Sequence, residues 1–226
     1  MSEPVPDDTV LLPRLRDRDE AAFALVVDAW SAGMLRLARS FVTTDASAHE
    51  VVQDAWLAVV IGLHTFEGRS ALRTWVYRIL VNTAKRRGER EHRVVPWSSW
   101  EPDTVERDGP AVDPARFRSP TEPYAGHWRE FPAPWPTPES EALSGELEGV
   151  LTAAVDHLPD RQRIVVVLRD VEGHTTDEVC AILDITAANQ RVLLHRARAA
   201  VRAELERYFE TAEREAEPAA RTGVTR

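Results

Sequence analysis

A chain of 226 residues with 43% hydrophobic and 29% charged side chains has material for one large or two small globular domains. Its one cysteine, Cys180, excludes a disulfide framework, and no Cys/His group has zinc spacing, so a reducing, cytoplasmic setting without a structural metal is expected. The formal net charge of -9 says little about partners because it is unevenly spread: residues 1–68 carry five Arg against eleven acids, whereas residues 69–93 carry eight basic residues against two acids.

In chain order, the start MSEPVPDD lacks the basic-then-apolar pattern of a signal peptide, and residues 1–13, with three prolines, read as a disordered lead-in. From residue 19 to residue 41, Phe23, Val26, Val27, Trp30, Met34, Leu37 and Phe41 recur at helical spacing. A second helix is expected after Thr44 and Asp45, through Val51, Val52, Ala55, Trp56, Val59 and Val60 to about Leu63, with Glu50, Gln53 and Asp54 among its polar positions. No apolar run approaches the ~20 residues of a membrane span, so no membrane insertion is expected.

The stretch from Phe66 to Arg93 holds most of the basic charge of the first half. Gly68 marks a turn, Ser70 is placed to cap a helix, and Leu72, Trp75, Val76, Ile79, Leu80 and Thr83 fall on one helical face opposite Arg78, Asn82 and Lys85. One face wants a core and the other an anion. Residues 94–138 then hold ten of the fifteen prolines and four of the seven tryptophans (Trp97, Trp100, Trp128, Trp135) without a period, which reads as a linker between two domains.

Helical pattern resumes from residue 139 to His157, breaks at Leu158-Pro159-Asp160, and returns from Arg161 to Val171, ending at Gly173. Thr175 with Glu178 forms a capping box opening a helix to about Leu183; Asp184-Ile185-Thr186 turns the chain, with Asp184 suited to a left-handed conformation; a last helix runs from Ala187 to about Phe209. Residues 210–226 read as a disordered tail. Two helices joined by so short a turn form a helix-turn-helix pattern. On the second, Leu193, Leu194, Ala197, Ala200 and Val201 make an apolar face, while Arg191, His195, Arg198 and Arg202 share another. Its first turn offers Asn189, Gln190 and Arg191, side-chain types that pair bidentately with adenine and guanine, leaving the later Arg for phosphates.

These segments resemble the extracytoplasmic-function subfamily of the sigma-70 family of bacterial RNA polymerase sigma factors. AHEVVQDAWLAVV resembles the family's Asp-x-x-Gln-Glu-x-Phe signature at Glu50, Gln53, Asp54 and Trp56. FEGRSALRTWVYRILVNTAKRR resembles its Phe-x-Gly-x-Ser stretch and following Trp, Ile and Asn at Phe66, Gly68, Ser70, Trp75, Ile79 and Asn82. LPDRQRIVVVLRDVEG and the His-Arg-Ala-Arg at His195 to Arg198 match the second conserved region, with Asp184 standing in the turn for the usual Gly.

The resemblance implies an all-α chain of two small helical domains: a region 2 bundle over residues 14–93 and a region 4 helix-turn-helix over residues 139–209. It implies core-polymerase docking, on the clamp and flap, with Glu50, Gln53, Asp54 and Trp56 in the docking helix. It further implies opening of the -10 element by Phe66, Gly68, Arg69, Ser70, Arg78, Asn82, Lys85 and Arg86. Reading of the -35 duplex would fall to Thr186, Asn189, Gln190, Arg191, His195, Arg198 and Arg202. Promoter DNA and an anti-sigma factor are the implied partners, and neither a cofactor nor a small-molecule substrate is. The histidines are scattered and no Ser/His/Asp, phosphate-loop or paired-carboxylate group occurs, so no enzymatic role is expected. Two other functions fit the basic faces alone, a stand-alone helix-turn-helix regulator and a helical adaptor that does not bind DNA.

Overall fold

The computed structural model describes residues 4–91 and 141–221; the expected linker, its tryptophans and Arg93 lie outside the described residues. All regular structure among the described residues is helical. Helix α1 (Asp8–Arg16) is started by Asp7, whose carboxylate accepts from Thr9 N–H at 2.9 Å, and it buries Leu11 and Leu15. This corrects the expected disordered lead-in. The prolines suggested an open chain, but Leu11 and Leu15, four apart, share one face and find a core.

Helix α2 (Glu20–Ala38) is capped by Asp19, which accepts from Ala21 and Ala22 N–H and also from Arg14 Nε at 2.8 Å. The Arg14 bond is the main reason that the Asp19 carboxyl is held below its ordinary range. At 19 residues α2 is long and apolar enough by composition to cross a membrane, contrary to the expectation that no run approaches that length. Its apolar side, Val26, Trp30, Met34 and Leu37, is instead buried within the bundle. Helix α3 (Asp45–Gly62) begins at Thr44, which accepts from Ser47 N–H, and it buries Val51, Val52, Ala55 and Val59. A 3-10 turn (Leu63–Thr65) leads toward α4 (Leu72–Arg90). Helices α2, α3 and α4 pack on one another, and α1 covers α2 and the 3-10 turn.

The later helices are α5 (Glu141–Asp156), α6 (Asp160–Val166), α7 (Thr176–Leu183) and α8 (Ala187–Arg221). The expected helix to Val171 opens into a π-helical turn over Val167–Val171. Ile164, Val165, Val166, Val167 and Leu168 are consecutive and all buried, so this segment is enclosed on every side. Thr175 and Glu178 make the expected reciprocal capping box, and Asp184 takes the left-handed conformation at φ 61°. Helix α8 continues beyond Phe209, where its apolar pattern stops, and stays helical to Arg221; the sequence there is rich in Ala, Glu and Arg, which favour helix. This corrects the expected disordered tail as far as Arg221.

The chain falls into two compact units, and they are not the two expected from sequence. One joins residues 4–91 with Asp160–Leu193; the other holds residues 141–159 and the rest of α8 from Leu194. The expected boundary placed the whole helix-turn-helix with α5, whereas α6, α7 and the first turns of α8 fall in the first unit, where α7 packs on α4 and the π-helical turn on α2.

Candidate nucleic-acid interface

Helix α4 buries more than the expected stripe. Leu72, Val76 and Leu80 are buried as predicted, but so are Thr74, Tyr77, Val81, Ala84 and Gly88, while Trp75, Ile79 and Thr83 are only partly covered. Its free side is a narrow line at Arg78, Asn82 and Arg86, spaced four apart and all exposed. Lys85, expected beside them, is half-buried. Burial pulls its ammonium below the ordinary lysine range, against the opposing pull of Asp184 and Glu89.

Between the 3-10 turn and α4, Glu67, Gly68, Arg69 and Ser70 form an exposed loop, and Gly68 has a φ of 72°, where a side chain would be strained. Phe66 is buried at the loop's base, its ring 4.9 Å from that of Trp75. It anchors the loop and is not presented to a ligand. Ser70 does not cap α4: the first residue's N–H, that of Leu72, goes to Asp8 Oδ2 of α1 at 2.7 Å, and Arg16 Nη2 donates to the Phe66 carbonyl at 2.6 Å. Helix α1 thus holds both ends of the loop. Sequence inspection missed this because the partners lie 50 and 64 residues away.

On α3, Glu50, Gln53 and Asp54 are exposed on one side together with Leu57, Val60 and Ile61, three large apolar residues left uncovered. The signal for these three was available in the sequence, as apolar residues falling on the polar side of the helical period. Trp56 points inward: its indole stacks on Trp30 at 6.4 Å and donates to Ser31 Oγ at 3.1 Å. Glu50 pairs with Arg87 at 2.5 Å, and Arg87 also donates to Glu91 at 2.8 Å. Bonds from Ser47, Arg87 and Thr43 hold the Glu91 carboxyl down at about 2.

In the helix-turn-helix, Thr186 Oγ1 accepts from Asn189 N–H, starting α8. Thr186 and Arg191 are exposed and Asn189 is half-covered, but Gln190 is 1% exposed and neither its amide nitrogen nor its oxygen has a hydrogen-bond partner. Of the three expected base readers, Gln190 is therefore not presented as the chain stands. His195, Arg198 and Arg202, further along α8, are exposed. Cys180 is partly covered, and burial pushes its thiol up.

A polar cluster around Glu172 was not foreseen. Glu172, which follows the π-helical turn, has a side chain only 8% exposed and sits on residues of α2 and α4. Arg36 Nη1 donates to Oε1 at 2.7 Å, Arg73 Nη2 to Oε2 at 2.9 Å, and Tyr77 OH to Oε2 at 2.8 Å, while Arg73 Nη1 reaches the Glu172 carbonyl at 2.7 Å. Nearby, Thr74 Oγ1 donates to Glu178 Oε1 at 2.7 Å and the His174 ring stands edge-on to Tyr77 at 4.7 Å. Burial lowers the His174 imidazole to about 4, and burial with the neighbouring Glu172 carboxylate pushes the Tyr77 phenol far above its ordinary value.

Comparison with known proteins places these elements in a family. The sigma-70 region 2 family matches residues 26–94, and the sigma-70 region 4 family matches residues 148–201. The ECF RNA polymerase sigma-E factor of Escherichia coli (strain K12) is 31% identical over 201 residues, covering 89% of this chain and 95% of the relative. That of Haemophilus influenzae is 29% identical over 191 residues, covering 84% and 91%. Among solved structures, CnrH in complex with the cytosolic domain of CnrY aligns with a TM-score of 0.53 at 20% identity, covering 88% of this chain and 97% of that one. The sigma factor RpoE of Bartonella quintana, in complex with the anti-sigma factor NepR, aligns with a TM-score of 0.51 at 18% identity, covering 81% and 96%. On the strength of the sigma-E relatives and the two sigma regions in order, the chain belongs to the extracytoplasmic-function (ECF) subfamily of the sigma-70 family.

Proposed function

We propose that this chain is a sigma factor that binds core RNA polymerase and directs promoter-specific initiation, making no bond itself. The observation that carries this reading is the pairing, in one chain of the ECF subfamily, of the exposed loop and line on α4 with the helix-turn-helix ending in α8. In this reading Gly68, Arg69 and Ser70 capture an extruded base of the -10 element, while Arg78, Asn82 and Arg86 follow the separated strand. Unpairing a base costs a few kcal/mol, and stacking with charge along the strand offsets it. Phe66 shapes the loop from below, and Lys85 joins the strand face when uncovered.

Region 4 then reads the -35 duplex with Thr186, Asn189 and Arg191, with His195, Arg198 and Arg202 on the flanking backbone, and Gln190 contributes once exposed. The face of α3 formed by Glu50, Gln53, Asp54, Leu57 and Ile61 docks on the polymerase clamp: its apolar centre with a polar rim is the anatomy of a protein interface. Trp56 supports that helix through Trp30. An anti-sigma factor is a further partner, supported by the RpoE complex with NepR, and the cytoplasm is the compartment in which these partners meet.

Run-off transcription with purified core polymerase on a genomic promoter library tests the reading: the chain selects a discrete set of promoters, and failure to select any refutes it. Promoter-duplex binding measured against salt adds a second check. Arg198→Ala reduces the log-log slope by about 1 if Arg198 holds a phosphate, and an unchanged slope removes it from the interface.

A further inference from the structure

Glu172 occupies a socket built for an anion. Two guanidiniums and a phenol donate to one carboxylate, so the socket's two positive charges exceed its occupant's one negative charge. Arg73 Nε is buried and has no acceptor at all, a donor that a carboxylate's two oxygens leave unsatisfied. The floor is Gly33 of α2: a Cβ there would fall 2.3 Å from Glu172 Oε2, so the carboxylate lies flat on bare backbone. The wall is α4, where Arg73 lies between the loop's exposed Arg69 and the exposed Arg78. Two arginines and a hydroxyl donor around an unspent N–H match a tetrahedral phosphate at least as well as a carboxylate.

Glu172 belongs to the helix-turn-helix half, and its neighbours Glu178 and His174 lie against Thr74 and Tyr77 of the same helix. A -10 and a -35 element some 20 base pairs apart are separated by about 70 Å of duplex. Side chains of α4 and residues 172–178 in direct hydrogen-bond contact cannot serve both elements at once. Resting on the sigma reading above, we propose that Gly33, Arg36, Arg73 and Tyr77 form a phosphate site for the separated promoter strand, and that Glu172 fills it in the closed chain and so holds the helix-turn-helix against α4. The carboxylate stands where a strand phosphate goes, and closure and DNA binding compete for the same donors.

The test uses the full chain and a fluorescein-labelled, mixed-sequence 30-nucleotide single-stranded DNA, titrated at several salt concentrations. Glu172→Gln keeps the shape and removes the charge. It is expected to bind the strand about tenfold more tightly than the unaltered chain, the equivalent of one charge-assisted hydrogen bond lost from the closed state. Adding Arg36→Ala to Glu172→Gln is expected to reverse the gain and to reduce the log-log salt slope by about 1. Equal affinity of the Glu172→Gln and unaltered chains overturns the competition. A double variant that keeps the slope of Glu172→Gln overturns the phosphate site. Hydrogen exchange guards against a folding artefact: Glu172→Gln should speed exchange in α7 while leaving the core of α3 unchanged, and faster exchange in both elements overturns the proposal. The sigma reading fails separately: it falls if the unaltered chain supports no transcription with core polymerase, whereas the socket falls if transcription proceeds and Glu172→Gln changes no affinity.

Discussion

The two basic elements of this chain, α4 and the start of α8, are built alike in sequence and treated differently by the fold. Each has an apolar face, a row of Arg at helical spacing and an Asn among them. On α4 the row Arg78, Asn82 and Arg86 stays exposed, because the bundle takes one flank and residues 172–178 take the other. At the start of α8 the middle of the recognition trio is lost to burial, at Gln190, while Arg191 remains outside. A basic amphipathic helix therefore announces that it will bind an anion, but neighbours decide which of its residues are available.

The comparison predicts first that α4 and α7, sharing one core, unfold together. Leu80→Ala in α4 and Ile182→Ala in α7 each empty a fully enclosed site and are expected to cost about 2–5 kcal/mol in denaturant unfolding, lowering a single transition. Two separate transitions would show that the helix-turn-helix half stands apart from α4.

The next effect is a pH dependence that separates the two halves. In the fold the buried His174 imidazole is neutral and does not protonate until about 4, whereas in the unfolded chain it takes a proton near 6.5. The unfolded state then binds more protons between those values, so stability falls as pH drops from 6.5 toward 4, by on the order of 3 kcal/mol in total. Glu91 at the end of α4 acts lower: its carboxylate is held at about 2 against an ordinary 4.5, so its contribution is present above 4.5 and disappears as pH falls toward 2. Denaturant midpoints from pH 7 to pH 5 should decline in the unaltered chain and flatten in His174→Gln; a slope surviving in that variant would assign it elsewhere.

The smallest effects compare helix starts. Thr175→Ala removes the α7 capping box and Asp8→Ala removes the carboxylate at the α4 N–H, and each is expected to cost about 1 kcal/mol in the same assay. They differ in kind: Asp8→Ala should also loosen the loop at Gly68 to Ser70, seen as faster amide exchange there, and Thr175→Ala should not. Equal exchange at the loop in both variants would remove α1 as its brace.

Much of the fold was legible. Leu37, Val51 and Val59 announce their helices through a period of 3.6 residues, Thr175 acts as a cap at the expected place, and Asp184 turns left-handed where the turn needs it. These are local properties, set by residues within a turn or two of one another. The placement of the candidate site was legible to the extent that it follows the same rule, as with the exposure of Arg78, Asn82 and Arg86. It failed where distant chain intervened: Ser70 yields the N-terminus of α4 to Asp8, Phe66 turns inward to Trp75, and Leu57 and Ile61 stay outside.

By itself, then, the sequence determined an all-helical sigma factor of the ECF subfamily, with helices α2 to α8 in order, because propensity, capping and motif spacing act over short range. Only the tertiary structure decided that the helix-turn-helix half leans on α4, and that Glu172 spends its charge on Arg36, Arg73 and Tyr77. Those partners stand 95 to 136 residues from Glu172 along the chain, and pairing at such distances depends on how amphipathic helices find a common core, which no local pattern records.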